Sequence, residues 1–149
     1  MGFMQLHRII VGVDGSASSK KALDWAIGLG DSFGAEIVAV HAIGLLAHLA
    51  PGRVVPAASH REELEQALAS WTAPLRQEAR PHRVLMVDGE PATAILDVAA
   101  KEGAELIVVG SRGMGNSRAP LLGSTANHVV QMADRPVLVA TGETGNDDG

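Results

Sequence analysis

Apolar residues along this chain gather in short runs, separated by stretches whose apolar positions recur every three or four residues. The first run, Arg8-Ile9-Ile10-Val11-Gly12-Val13-Asp14, is almost continuous and stops at Asp14-Gly15-Ser16. A short continuous run of this kind predicts a strand buried on both faces, as in a parallel sheet. Ser16 or Ser18 is placed to cap a helix with Ala22, Leu23, Ala26 and Ile27 on its inner face, ended by Gly30 and Gly34. Glu36 to His41 predicts a second strand. Residues 43–58, with Pro51, Gly52 and Pro56, read as a long irregular loop. Ser59-His60-Arg61-Glu62 has the spacing of a capping box, opening a helix striped by Leu64, Leu68, Trp71 and Leu75 that Pro74 should kink or shorten.

The alternation continues to the end. Arg83 to Val87 predicts a third strand, and Pro91 suits the first turn of a helix faced by Ala94, Ile95, Val98 and Ala99 and ended at Gly103. Glu105 to Gly110 predicts a fourth strand. After a glycine-rich loop, Ser124 is expected to cap a fourth helix, and Arg135 to Ala140 predicts a fifth strand. Strictly alternating strands and helices predict one α/β domain of three layers over residues 1–149, with a mostly parallel five-stranded sheet and right-handed crossovers. The core should span about 7–140, and 141–149 reads as a disordered tail. The pattern leaves two doubly wound strand orders open, 2-1-3-4-5 and 3-2-1-4-5.

Composition narrows the function classes. The 149 residues carry a net charge of −5 and 3% aromatics, with no Tyr and no Cys. An acidic chain with few stacking rings argues against nucleic acid as its partner. Lack of cysteine removes disulfides, thiolate metal sites and cysteine nucleophiles. No apolar run approaches the ~18 residues of a membrane span. Met1 to Arg8 lacks the pattern of a signal peptide, so no membrane association and a cytoplasmic location are expected.

Candidate chemistry lies where strands end. In a doubly wound sheet, ligands bind beyond the carboxyl ends of the strands, where the order reverses. In a 3-2-1-4-5 order, Asp14 after the first strand and Gly110 after the fourth become neighbours there. The loop from Gly110 to Thr125 holds four glycines, two arginines and no acid. Close-approaching backbone amides and a helix N-terminus suit a polyphosphate. Each glycine alone reads better as a turn residue; the whole string after a strong strand is what points to a ligand. The loop is neither G-x-x-x-x-G-K followed by Ser or Thr, nor G-x-G-x-x-G, since Arg118 occupies the third glycine position.

Gly110-x2-Gly113-x9-Gly123-Ser124 matches the nucleotide-binding signature of the universal stress protein family, which the chain resembles over roughly residues 7–140. Ile9-Ile10-Val11-Gly12-Val13-Asp14-Gly15-Ser16, Val40-His41-Ala42 and Arg135-Pro136-Val137-Leu138-Val139 also look like that family. The resemblance implies an adenine-nucleotide-binding fold with five parallel strands in order 3-2-1-4-5. It implies an ATP-binding stress-response regulator, with Mg2+ accompanying the nucleotide and at most weak hydrolysis. A homodimer through the last strand, about 136–140, is implied as well. Carried onto this chain, Asp14 should reach a ribose hydroxyl, Ala42 should meet adenine through its backbone, and Val109 and Gly110 should line the ribose. Gly113, Gly123, Ser124 and Thr125 should hold phosphates, with Arg112 and Ser117 as weaker candidates.

Other residues carry less. None of the six histidines has zinc spacing, and His41 weighs more as a structural histidine than as a ligand. Trp25 and Trp71 read as packing residues, and Asp88 as a turn or cap residue. No catalytic residues are assigned. Two alternatives stay open. An ATP-using enzyme of pyrophosphatase or nucleotidyl-transfer type would carry S-G-G-x-D-S after the first strand, where this chain has Gly12-Val13-Asp14-Gly15-Ser16. A nucleotide-free dimeric interaction module is the other. A phosphoacceptor receiver domain would need an acidic pair and a lysine after the last strand, where Asp14 stands alone and Thr141 follows.

Overall fold

A computed structural model describes residues 5–112 and 122–141 of the chain. Five strands form one parallel sheet: β1 (Arg8–Gly12), β2 (Glu36–Ile43), β5 (His82–Asp88), β6 (Leu106–Gly110) and β7 (Val137–Ala140). Their order is β5-β2-β1-β6-β7. This is the expected 3-2-1-4-5, renumbered because two further strands intervene in the chain. β1 lies between β2, with Arg8 opposite Glu36, and β6, with Ile9 opposite Leu106. The order reverses at β1, so the crevice opens between the carboxyl ends of β1 and β6.

The three layers follow from the apolar faces. On one side of the sheet Ile9, Val11, Ile37, Ala39 and Val108 pack with Ala22, Leu23 and Ala26 of α1 (Ala17–Phe33) and Leu68 of α2 (Arg61–Trp71). On the other, Ile10, Val38, Val40, Ile107 and Val109 pack with Ile95 and Val98 of α3 (Pro91–Glu102) and Ala126 and Val129 of α4 (Ser124–Met132). Strand residues alternate between these cores, which is why β1, β2 and β6 read as continuous apolar runs. Each fully buried Ile, Val or Leu contributes about 1.5–3 kcal/mol. Among the described residues, no helix is long and apolar enough to cross a membrane.

Helix ends show where expectation held and where it shifted. Ser16 caps α1, accepting from the Ser19 amide, and Gly34 closes it in the left-handed region. Gly30 lies within α1, buried against Ile37, rather than at its end. Pro91 opens α3 and Gly103 closes it. The expected capping box before α2 does not form. The helix starts after His60 without a side-chain cap, because the Ser59 hydroxyl turns back to the Pro56 carbonyl at 3.4 Å. α2 stops at Trp71, and Pro74 sits in a short 3₁₀ turn, Ala73–Arg76, as expected of a residue that ends helices. Ser124 is not the cap of α4. Gly123 holds that position, and Ser124 is the first helical residue. Trp25 is no packing residue either, since it stands 55% exposed on the outer face of α1.

The stretch 43–58 is not irregular. It forms an antiparallel hairpin of β3 (Leu46–Ala50) and β4 (Arg53–Pro56), with Leu46 opposite Pro56 and Ala47 opposite Val55. Pro51 and Gly52, read in the sequence as loop punctuation, make its turn, where Gly52 has a positive φ. Ala47, Ala57, Ile43 and Leu64 bury together beneath it. The proposed tail residues 142–149 lie outside the described residues.

Candidate functional site

The crevice is built from strand ends. Asp14 follows β1, and its Oδ1 accepts from the Ser16 amide at 2.9 Å while its own amide donates to Ser19 Oγ at 3.1 Å. The carboxylate is therefore fixed by one oxygen in a tight turn, and Oδ2 accepts no bond among the described residues. Gly15 follows with φ +83°, and the Trp71 indole lies where any Cβ would point. Both facts require glycine at this corner.

β2 runs further than β1 and leaves an edge open. Its alternate residues bond to opposite neighbours. The Glu36 amide donates to the His7 carbonyl at 2.8 Å, and Val40 accepts from the Val13 amide at 2.9 Å, both on the β1 side. Ile37 donates to Pro81 and Ile43 accepts from Gly89, both on the β5 side. Ala42 thus faces β1, but β1 has ended. The next rung would join the Ala42 amide to the Val13 carbonyl. That carbonyl instead accepts from His41 Nδ1 at 2.7 Å. The Ala42 N–H and C=O have no backbone partner among the described residues on that side.

His41 is wedged at this point, its ring edge-on to Trp71 with centroids 5.3 Å apart. Burial lowers its pKa from the ordinary value of 6.5, against the opposing pull of the Val13 carbonyl and the Asp14 charge. A carbonyl only accepts, so Nδ1 carries the proton of the neutral ring.

The far wall is the start of the glycine loop and α4. Val109 is buried with its side chain in the α3–α4 core. Gly110 packs against the first turn of α1. A Cβ there would lie 2.6 Å from the Ser18 carbonyl carbon. Ser18 also holds the next residues, its Oγ accepting from the Arg112 amide at 3.1 Å, while Ser16 Oγ donates to the Arg112 carbonyl at 3.2 Å. Gly123 is buried and donates to the Ser111 carbonyl at 2.6 Å. No side chain caps α4, so its first amides, at Ser124, Thr125 and Ala126, lack an intrahelical acceptor. That end carries the positive pole of the helix dipole.

Asp14, Ala42, Val109, Gly110, Arg112 and Thr125 line one recess. Asp14, Ala42, Ser124 and Thr125 also border an adjoining cavity of about 560 Å³, walled by the hairpin, Leu64 and the Gly89–Pro91 turn. That volume falls in the usual range for small-molecule sites. Gly123 shapes the helix start without lining either space, and Gly113 and Ser117 lie outside the described residues. Asp88 ends β5 exposed, and the cap of α3 is Glu90, whose carboxylate accepts from the Ala92 and Thr93 amides. Sequence reasoning passed over Pro91, Ile95, Glu90 and the hairpin residues Leu46, Ala47 and His48, which also line the cleft. Among the described residues, no group of three His, Asp or Glu side chains could hold a metal ion.

Comparison with known proteins bears on this cleft. The family model described as universal stress protein family matches residues 5–141. The universal stress protein YxiE of Bacillus subtilis is 32% identical over 145 residues, covering 89% of this chain and 97% of the relative. A universal stress protein crystallised in complex with cAMP superposes with a TM-score of 0.64 at 27% identity, covering 91% of this chain and 97% of that one. The universal stress protein from Archaeoglobus fulgidus in complex with dAMP superposes with a TM-score of 0.68 at 24% identity, covering 93% and 100%.

Proposed function

The chain belongs to the universal stress protein family, and we propose that it is a regulatory protein that binds an adenine nucleotide, ATP foremost, in the crevice between β1 and β6. The observation that carries this reading is the open edge of β2. A backbone N–H beside a backbone C=O, as Ala42 presents them, complements the N1 acceptor and 6-amino donor of adenine and opposes the reversed pattern of guanine or hypoxanthine. The similar protein complexed with cAMP supports an adenine nucleotide as the ligand class.

In this reading the base meets Ala42 and the apolar surfaces of Pro91 and Ile95. Asp14 offers Oδ2 to a ribose hydroxyl. The amides of Ser124, Thr125 and Ala126 and the hydroxyls of Ser124 and Thr125 receive phosphate, at a helix end suited to anions. Arg112 lines the recess, and its guanidinium adds positive charge to the phosphate end. Mg2+ arrives with the triphosphate, since the described residues provide no cage of their own. Among the described residues, no paired carboxylates or nucleophile–base pair converge on the phosphate end, and at most weak hydrolysis is expected. Occupancy then sets how the protein meets its partners, including a second copy of itself through β7, in the cytoplasm.

Thermal unfolding with and without Mg-ATP tests this, with Mg-GTP as control. Ligand at ~100 times its dissociation constant adds about 2.7 kcal/mol, a rise of several degrees for this chain length. ATP should raise the midpoint and GTP should not. Combining Asp14→Ala with Gly123→Val should abolish the ATP rise while the protein still folds. Equal rises with ATP in that variant and the parent would overturn the site. No rise in the nucleotide-stripped parent would favour a nucleotide-free interaction module.

A further inference from the structure

Parallel strands zip together until something stops them. Here the pairing of β1 with β2 stops one rung short of the next position in the regular register. Val13 still donates to Val40 at 2.9 Å, and in regular parallel register its own carbonyl is the acceptor for the next rung, from the Ala42 amide. Yet the carbonyl is taken by His41 Nδ1 at 2.7 Å. An unpaired backbone amide at the margin of a core is costly, and the sheet would recover that loss by closing the rung. The imidazole competes for that carbonyl, and Ala42 faces the cleft.

The side chain is built for this task. His41 faces the α1–α2 side of the sheet, where the Trp71 ring packs edge-on against it. Trp71 in turn lies under Gly15, whose positive φ and missing Cβ make room for the indole. Three elements therefore fix the imidazole: the strand that carries it, the helix above it and the β1 corner it bonds. A neutral ring with Nδ1 protonated supplies the single donor the carbonyl needs.

We propose that His41 is a positioning residue that occupies the Val13 carbonyl and so keeps the Ala42 amide open to read the Watson–Crick edge of adenine. The inference rests on the adenine-binding reading for its purpose, but the competition for Val13 belongs to the nucleotide-free protein and can be measured there. It makes base selectivity depend on a side chain that need not touch the base.

Two variants separate positioning from packing. His41→Phe keeps a ring against Trp71 and removes the donor. His41→Asn keeps a donor near the Nδ1 position. Amide hydrogen exchange in the nucleotide-free proteins gives the first readout. In the parent, the Ala42 amide should exchange at least about a hundredfold faster than Val40 and become protected only with ATP. In His41→Phe it should be protected without nucleotide. In His41→Asn it should again be open. Calorimetry with ATP and with inosine triphosphate gives the second. His41→Phe should bind ATP about tenfold more weakly and lose most of its preference over inosine triphosphate, an effect the size of one hydrogen bond. His41→Asn should restore both.

An Ala42 amide as protected as Val40 in the nucleotide-free parent would overturn the proposal, and that measurement holds even if His41→Phe does not fold. An unchanged nucleotide preference in folded His41→Phe would overturn it equally. Failure of the parent to bind ATP would instead sink the adenine reading, with the exchange comparison still deciding what His41 does to the rung.

Discussion

At the amino ends of the strands, charge and backbone groups are matched; at the carboxyl ends, several have no partner among the described residues. Glu36 accepts from Arg8 Nε at 2.7 Å and from Arg83 Nε at 2.8 Å, and Arg83 also reaches Glu102 at 2.6 Å. Arg8 donates to the Glu102 carbonyl at 2.7 Å, and Glu105 accepts from the amides of His7 and Arg8. The opposite end has an open Ala42 edge, an Asp14 Oδ2 without a bond among the described residues, and a helix start without a side-chain cap. One sheet thus carries a closed end and an open end. Matched groups hold strands together but have nothing left to offer a ligand. Unmatched groups cost stability, about 1–3 kcal/mol for each buried one, and become binding capacity where they converge. The structure places them where a parallel sheet reverses its order, the place where α/β folds bind small molecules.

The open end is nevertheless tightly packed, and the largest predicted effect tests that. Gly110→Val would drive a branched side chain into the Ser18 backbone. The first turn of α1 would have to move, and with it the bonds from Ser16 and Ser18 to Arg112. Overpacking against backbone should destabilise by about 3 kcal/mol, a fall of roughly 6–12 °C in the melting midpoint. Denaturant unfolding measures the loss directly. A midpoint like the parent's would show a slack strand end, and the contrast between unpaired groups and firm packing would collapse.

At the closed end the effects should be smaller and should spare binding. Glu36→Gln keeps the shape and removes the charge shared by Arg8 and Arg83. Both guanidinium groups are partly in water, which screens the loss. About 1 kcal/mol is expected, near 3 °C in the melting midpoint. The further rise on adding Mg-ATP should match the parent's. A Glu36→Gln protein that melts normally but loses the ATP rise would erase the division of labour between the two ends.

Much of this arrangement is legible in the sequence because it rests on local signals. Continuous apolar runs mark β1, β2 and β6 as buried on both faces. Pro91, Gly34 and Gly103 mark helix ends through backbone geometry that few other residues share. Asp14 and Gly110, at the ends of β1 and β6, mark the switch point. What escaped depends on contacts made across the fold. The hairpin β3–β4 is short and alanine-rich, carries two prolines, and packs through burial of Ala47 and Ala57 against Ile43 and Leu64. Ser124 and the Ser59 box followed good capping rules, but an alternative partner or a one-residue shift took each role elsewhere. Glu90 caps α3 with its carboxylate, a task usually expected of shorter side chains. His41 gave no spacing signal, since its partner is a carbonyl 28 residues away.

The smallest predicted effect separates the two ends by pH. Burial raises the Glu105 pKa, but the Arg8 amide, the His7 imidazole and the His7 amide outweigh it, and the group is held at about 2 against an ordinary 4.5. A carboxyl depressed by folding stabilises fully above its unfolded pKa. That contribution disappears as pH falls from about 4.5 toward 2. Hydrogen bonds from Arg83 lower Glu36 and Glu102 as well, so their contributions also fade as pH falls below 4.5. His41 belongs to a different window. Burial lowers its pKa below 6.5, so the unfolded chain takes up a proton first, and stability starts to fall as pH drops through 6.5. The melting midpoint followed from pH 8 to 2.5 should therefore decline in two steps, the upper from the open end and the lower from the closed end. Glu105→Gln should flatten only the lower step, and His41→Asn only the upper. Loss of both steps from either single change would mean that the two ends of the sheet titrate as one unit, and their separate roles in binding and stability would no longer follow.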